Sequence, residues 1–214
     1  MKLSDLKAGS NTKQTLLLPV ASPYPVEITA ICGRQPGKTL IVTAGIHGCE
    51  YVGIETLNRL KKELDPIDLS GRIILLPLVN PEGFYMGSKQ IIPADGQNLN
   101  RTFPGDPEGT FSSRLAKLLE ETLYPEADFL IDLHGGDVNE ALTPLVFFPT
   151  TVSDALAAKA SAAAASLSIP YRVASTAKNG LYSWAAQCGI PALLAERGER
   201  GLWCEDEVTA CKRN

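Results

Sequence analysis

The chain has two histidines, His47 and His134, and both stand where an apolar run meets glycine. His47 follows TLIVTAGI (Thr39–Ile46), and Glu50 comes three residues later. His134 ends DFLIDL (Asp128–Leu133) and is followed by Gly135 and Gly136. A third apolar run, PALLAE (Pro191–Glu196), ends in a carboxylate. In α/β sheets, functional groups gather beyond the carboxyl ends of the strands. Two His and one Glu form a catalytic zinc set that leaves a fourth position for water. His47, Glu50 and His134 are therefore candidate ligands of one Zn2+ per chain. Asp132 lies two residues before His134, on the same face of a strand. A carboxylate there can accept the imidazole N–H and fix its tautomer. Each part alone also has a plainer reading. HxxE describes a helix start with a capping carboxylate, and a single histidine is often a satisfied structural group.

The flanking pattern indicates what holds these residues. Val26–Cys32 and Thr39–Ile46 are β-branched and apolar, and the Gly33–Lys38 segment between them predicts a hairpin. Apolar residues at helical spacing predict a helix over Tyr51–Leu64, stopped by Asp65-Pro66. Arg72–Val79 is a continuous apolar run suited to a buried central strand, with Pro77 marking an edge or bulge. The segment Asn80–Asp106 is rich in Gly, Pro and Asn, and a loop that long is usually functional. Within it Asp95 and Asn98 suit turns better than catalysis. Helices are predicted over Ser112–Leu123, Ser153–Leu167 (with Ser153 as N-cap), Leu181–Cys188 and Glu205–Lys212. Further strands are predicted over Leu142–Phe148 and Tyr171–Ser175. Strands and helices mostly alternate, which favours an α/β fold with a mainly parallel sheet and helices on both faces. No repeat or linker divides the chain, so residues 1–214 are expected to form a single domain.

Composition limits the function. A formal net charge of -4 gives no support for a nucleic-acid partner. No apolar run approaches a membrane span, and there is no signal-peptide pattern, so a cytoplasmic protein with no membrane partner is expected. Five scattered cysteines without CxxC argue against a disulfide framework; most are expected to be buried as small apolar groups.

GIHGCE (Gly45–Glu50), NPEGF (Asn80–Phe84), DGQNLNRTFPG (Asp95–Gly105), DLHGG (Asp132–Gly136) and GIPALLAERG (Gly189–Gly198) stand in this order. Together they resemble the succinylglutamate desuccinylase/aspartoacylase family, a branch of the zinc carboxypeptidase-like hydrolases. The resemblance runs from about Thr39 to Trp203. It implies a three-layer α/β/α sandwich around a mixed, mainly parallel sheet. Zinc would be bound by His47, Glu50 and His134, and the substrate carboxylate by Asn100 and Arg101. Glu196 would be the catalytic acid/base, with Glu199 as its rival. The expected reaction is hydrolysis of the amide of a small N-acyl amino acid. The alternatives are a metallocarboxypeptidase or amidase acting on short peptides with a free carboxylate, including cell-wall peptides, and a non-catalytic metal-binding module.

The chain departs from the family pattern in two places. Family members often carry an arginine near the position of Gln90, where it helps polarise the scissile carbonyl; Lys89 is the nearest cation. They also usually continue into a smaller β-rich domain, which this chain is expected to lack.

Overall fold

A computed structural model describes residues 2–213. Among these residues, ten strands and six α-helices follow one another. In order they are β1 (Thr12–Leu18), β2 (Val26–Cys32), β3 (Gln35–Ala44), α1 (Tyr51–Glu63), β4 (Ser70–Leu76), α2 (Pro81–Met86), β5 (Ile91–Ile92), β6 (Gln97–Asn98), α3 (Phe111–Leu123), β7 (Phe129–His134), β8 (Leu145–Pro149), α4 (Asp154–Ser166), β9 (Tyr171–Ser175), α5 (Leu181–Gln187), β10 (Ala192–Glu196) and α6 (Glu205–Lys212). Eight strands form one sheet in the order β1-β2-β4-β3-β7-β10-β8-β9; β5 and β6 pair separately. The four-strand centre β4-β3-β7-β10 is parallel throughout. β1, β2 and β8 join their inner neighbours antiparallel. The sheet is mixed and mainly parallel, as expected.

Alternation along the strands makes two cores. Ile41 of β3, Ile74 and Leu76 of β4, Leu130 of β7 and Ala192 and Leu194 of β10 face α3 and α5, where they meet Leu115, Leu119, Leu181 and Ala185. Their neighbours Val42, Leu75, Leu133, Leu193 and Ala195 face the other way, onto Ile54 and Leu57 of α1 and Ala160 and Ala164 of α4. A side-chain period of two thus buries both faces of the sheet, giving three layers. The same parity decides the site. Thr43, Asp132, His134 and Glu196 lie in step with Ile41, Leu130 and Leu194, so all four point to the α3/α5 side at the strand ends.

The predicted β2–β3 hairpin does not form. β4 lies between the two strands, antiparallel to β2 and parallel to β3. Gly33 marks a crossing instead, since a Cβ there would stand 2.3 Å from the Leu69 carbonyl oxygen. β1 went unrecognised in the sequence because only alternate residues are partly covered on this edge strand. The long Asn80–Asp106 segment is more ordered than its composition implies. The Asn80 side chain accepts from the Gly83 amide at 2.8 Å and caps α2. Asp95 accepts from the Ser112 amide at 2.7 Å, tying its turn to the start of α3. Ser153 takes the N-cap position of α4, but its side chain makes no capping bond. All five cysteines are free; Cys32 and Cys49 are buried, whereas Cys188 and Cys204 are exposed, so the expectation of mostly buried thiols holds only in part. Among the described residues, no helix is long and apolar enough to cross a membrane.

Candidate active site

Three strand ends meet at one cavity. β3 runs into Gly45, whose φ of +64° turns the chain so that His47 and Glu50 precede α1. β7 delivers His134, and β10 delivers Glu196 in direct register with it. One ligand atom each from His47, Glu50 and His134 lies within 4.8 Å of the others. All three residues are buried. Glu50 occupies the N-cap position of α1 but makes no side-chain capping bond. Its carboxylate turns to the histidines instead, with Oε1 2.6 Å from His47 Nδ1 and Oε2 2.9 Å from His134 Nδ1.

The far sides of the two rings are matched. His47 Nε2 is 3.1 Å from Asn98 Oδ1, and His134 Nε2 is 3.0 Å from Asp132 Oδ2. Each oxygen is an acceptor and therefore favours the proton on Nε2. That leaves both Nδ1 lone pairs aimed at a carboxylate, an arrangement that calls for a positive charge between them. Apart from His134 Nδ1, the buried Glu50 Oε2 has no hydrogen-bond partner among the described residues, which leaves acceptor capacity open at this oxygen. Burial would raise the Glu50 carboxyl, but His134 and His47 outweigh it and hold it at about 2. Burial would lower His134, yet the carboxylates of Glu50 and Asp132 keep it well above its ordinary value. The donor set fits a divalent cation of the kind bound by two imidazoles and one carboxylate.

Asp132 is itself held. It is fully buried, and Thr43 Oγ1 donates to its Oδ1 at 2.7 Å from the opposite position on β3. Thr43 and Asn98 both escaped the sequence reading. Asn98 does form a turn, accepting from the Asn100 amide at 2.9 Å, but the same oxygen faces His47.

The cavity above these groups has a volume of about 440 Å³ and is lined by His47, Glu50, His134, Asn100, Arg101 and Glu196, with Gln90, Glu140 and Tyr182 among the others. Glu196 is half-buried. Its carboxyl is pushed up to about 7, first by burial and then, against an opposing pull from His134, by the carboxylates of Glu50, Asp132 and Glu140. Glu199 instead accepts from the Leu142 amide at 3.2 Å and does not line this cavity. Asn100 is buried; its Oδ1 accepts from the Leu181 amide at 2.9 Å, and its Nδ2 stands 3.4 Å from His134 Nε2. Arg101 Nη1 donates to the Asn100 carbonyl at 2.8 Å, and the rest of its guanidinium is exposed to the cavity mouth. Gln90 lines the cavity, whereas Lys89 pairs with Asp137 at 3.5 Å. Cys49 is buried beside Asp137, not in either apolar cluster, and its thiol is pushed up to about 12 by burial and by Asp137 and Glu50. Its thiol is not among the groups that converge with His47, Glu50 and His134. Tyr182 serves both core and cavity wall, whereas Tyr171 is exposed on β9.

Over 103 residues the chain is 41% identical to the N-alpha-acetyl-L-2,4-diaminobutyric acid deacetylase of Halomonas elongata, a stretch that is 48% of this chain and 30% of that protein. Over 98 residues it is 37% identical to the succinylglutamate desuccinylase of Pseudomonas paraeruginosa, covering 44% of this chain and 28% of that one. The crystal structure of a succinylglutamate desuccinylase/aspartoacylase from Rhodobacter sphaeroides superposes with a TM-score of 0.83 at 31% identity, covering 94% of this chain and 62% of the other. The chain thus spans less than two thirds of the length of these relatives. The family described as the succinylglutamate desuccinylase/aspartoacylase catalytic domain matches residues 36–213. The chain belongs to the succinylglutamate desuccinylase/aspartoacylase family, and the match covers its catalytic domain.

Proposed function

We propose that this chain is the catalytic part of a zinc-dependent hydrolase that cleaves the amide bond of a small N-acyl amino acid. The observation that carries the reading is the convergence of both Nδ1 atoms on Glu50, whose buried Oε2 is otherwise unpartnered, beside a carboxyl with a pKa of about 7. His47, Glu50 and His134 would hold the ion. When bound, zinc lowers the pKa of water to about 7 and polarises a carbonyl oxygen.

The chain's own residues supply the rest. Asp132 holds the Nε2 proton of His134, so Nδ1 stays free as a donor. Glu196, poised near neutrality, takes the proton of the attacking water and passes it to the leaving amine. Arg101 presents a planar fork for the substrate carboxylate, and Asn100, braced by the Leu181 amide, keeps the arginine's backbone in place. Gln90 is a neutral donor at the cavity wall, in the region where related enzymes carry an arginine.

Metal analysis together with hydrolysis of N-acetyl and N-succinyl amino acids, set against dipeptides, tests the reading. We expect about one divalent ion per chain and release of the free amino acid. Glu196→Gln should lose about 10²–10⁴-fold in turnover with its metal retained. Absence of stoichiometric metal, or cleavage of dipeptides alone, overturns it.

A further inference from the structure

The scissile amide and the substrate carboxylate occupy only part of the cavity, and strand register sets what lines the rest. Leu194 lies two residues before Glu196 on β10 and shares its face. Phe147 of β8 stands directly opposite Leu194, and Val173 of β9 directly opposite Phe147. Opposed residues point to the same side of a sheet. The three therefore form an apolar row that runs from the foot of Glu196 towards the edge strand. Leu194 is buried, and Phe147 packs half-buried against the same core. Leu142, ahead of β8, and Tyr182, on α5, extend this wall; with Leu194 and Phe147 they line the cavity.

The polar groups set among them are already matched. The Tyr182 hydroxyl pairs with Ser175, whose Oγ also accepts from the Ala177 amide at 3.3 Å. The buried Ser183 Oγ accepts from the Gly180 amide at 2.9 Å and donates to the Gly180 carbonyl at 3.2 Å. Among the described lining residues, Arg101 is the one lysine or arginine. Glu140 stands at the rim, where its carbonyl accepts from the Arg200 amide at 2.9 Å. It is exposed, and solvent screening leaves such a carboxylate little hold on a ligand.

In the deacylase reading, Glu196 faces the leaving nitrogen and Arg101 faces the carboxylate. Both groups are carried by one α-carbon, so its side chain projects into the space between Glu196 and Arg101. The apolar row begins beside Glu196, and Tyr182 lies close enough to Arg101 to feel its charge. The wall that meets the side chain is therefore hydrocarbon. A carboxylate or ammonium placed there loses hydration and gains no partner, whereas an alkyl group is favoured by the water it leaves.

We propose that the substrate is the N-acyl derivative of an amino acid with an uncharged aliphatic side chain of about leucine size, seated against Leu194, Phe147 and Leu142. This deepens the deacylase reading and rests on it.

The Nα-acetyl derivatives of L-leucine, L-asparagine and L-aspartate test the assignment, since their side chains branch at the same carbon and differ in polarity and charge. The derivative of L-2,4-diaminobutyrate adds an ammonium. For the metal-loaded protein we expect the leucine derivative to lead in kcat/KM by at least about tenfold over each of the others, the scale on which an apolar pocket discriminates. Leu142→Arg puts a cation on the wall and should raise the aspartate derivative relative to leucine by at least about tenfold. Phe147→Ala opens the row, and the cyclohexylalanine derivative should overtake leucine. These are shifts of preference, which a merely structural role would not produce, and circular dichroism checks that both variants fold. A lead for any of the three polar derivatives in the wild type, or a leucine preference unchanged in both variants, overturns the proposal and leaves the deacylase reading standing. If no derivative is hydrolysed, the deacylase reading fails. Calorimetric binding of free L-leucine and L-aspartate then decides: tighter binding of leucine that is lost in Leu142→Arg supports the apolar wall, and any other order overturns it.

Discussion

Thr43 and Asp132 face each other across the β3–β7 pair, and Thr43 Oγ1 donates to Asp132 Oδ1 at 2.7 Å. The other carboxylate oxygen of Asp132 meets His134 Nε2. A hydroxyl on one strand therefore orients His134 on the next through an intervening carboxylate. Thr43→Val conserves shape and removes the donor, leaving a fully buried carboxylate oxygen unsatisfied. The expected cost is about 1–3 kcal/mol in denaturant unfolding. Zinc affinity should fall about 10–100-fold by competition titration, as when an outer partner of a ligating histidine is lost. Loss of stability with unchanged metal affinity would reduce Thr43 to a packing role.

Glu196 makes the metal-free protein sensitive to pH. Its carboxyl lies at about 7 in the fold against an ordinary 4.5, so the folded state holds the proton more tightly. Stability is therefore full below about pH 4.5 for this group and falls as pH rises towards 7 and beyond. The difference corresponds to about 3 kcal/mol at full ionisation. Glu196→Gln removes the ionisation, and its melting temperature should exceed that of the wild type at pH 8 while converging with it at pH 5. A parallel pH dependence in both proteins would assign the effect elsewhere.

Removal of metal gives the opposite kind of readout. Dialysis against a chelator should abolish hydrolysis and lower the melting temperature, and added zinc should restore both. A ligand present at 100 times its Kd stabilises by about 2.7 kcal/mol. Calorimetric scans with and without zinc measure this, and His47→Ala should lose the zinc-dependent increment.

Gly180 marks a place where the backbone must come close. A Cβ there would stand 2.5 Å from Asn100 Oδ1, the atom that accepts from the Leu181 amide. Gly180→Ala should displace Asn100 and, with it, the carbonyl that holds Arg101. The expected outcome is about 1–3 kcal/mol of destabilisation and a rise in KM larger than the fall in kcat. An unchanged KM would show that Arg101 is positioned without Asn100.

Much of this was legible in the sequence because strand parity and strand ends are sequence properties. Two histidines beside glycine, and a glutamate closing an apolar row, locate the site without any knowledge of the pairing order. Parity likewise places Asp132 with His134. What escaped depends on neighbours distant in sequence. The β2–β3 hairpin looked local, but β4, which follows α1, takes the intervening place. Thr43 gains its role only because β7 aligns Asp132 with it. Asn98 has the composition of a turn and does make one, so nothing in its own segment marks its contact with His47. Glu140 sits in a loop whose position is set by hydrogen bonds to residues after β10.

β10 lies between β7 and β8, although it is the last strand in the chain. β8 and β9 pair with each other but reach the rest of the sheet only through β10. During synthesis the five-strand part β1-β2-β4-β3-β7, which carries the two histidines and Glu50, can close first, leaving one edge of β7 open. The β8–β9 pair must wait beside it until Ala192–Glu196 leaves the ribosome and wedges between them. His47, Glu50 and His134 can therefore be in place before Glu196 arrives, and the carboxyl proposed to transfer the proton enters as the sheet is sealed.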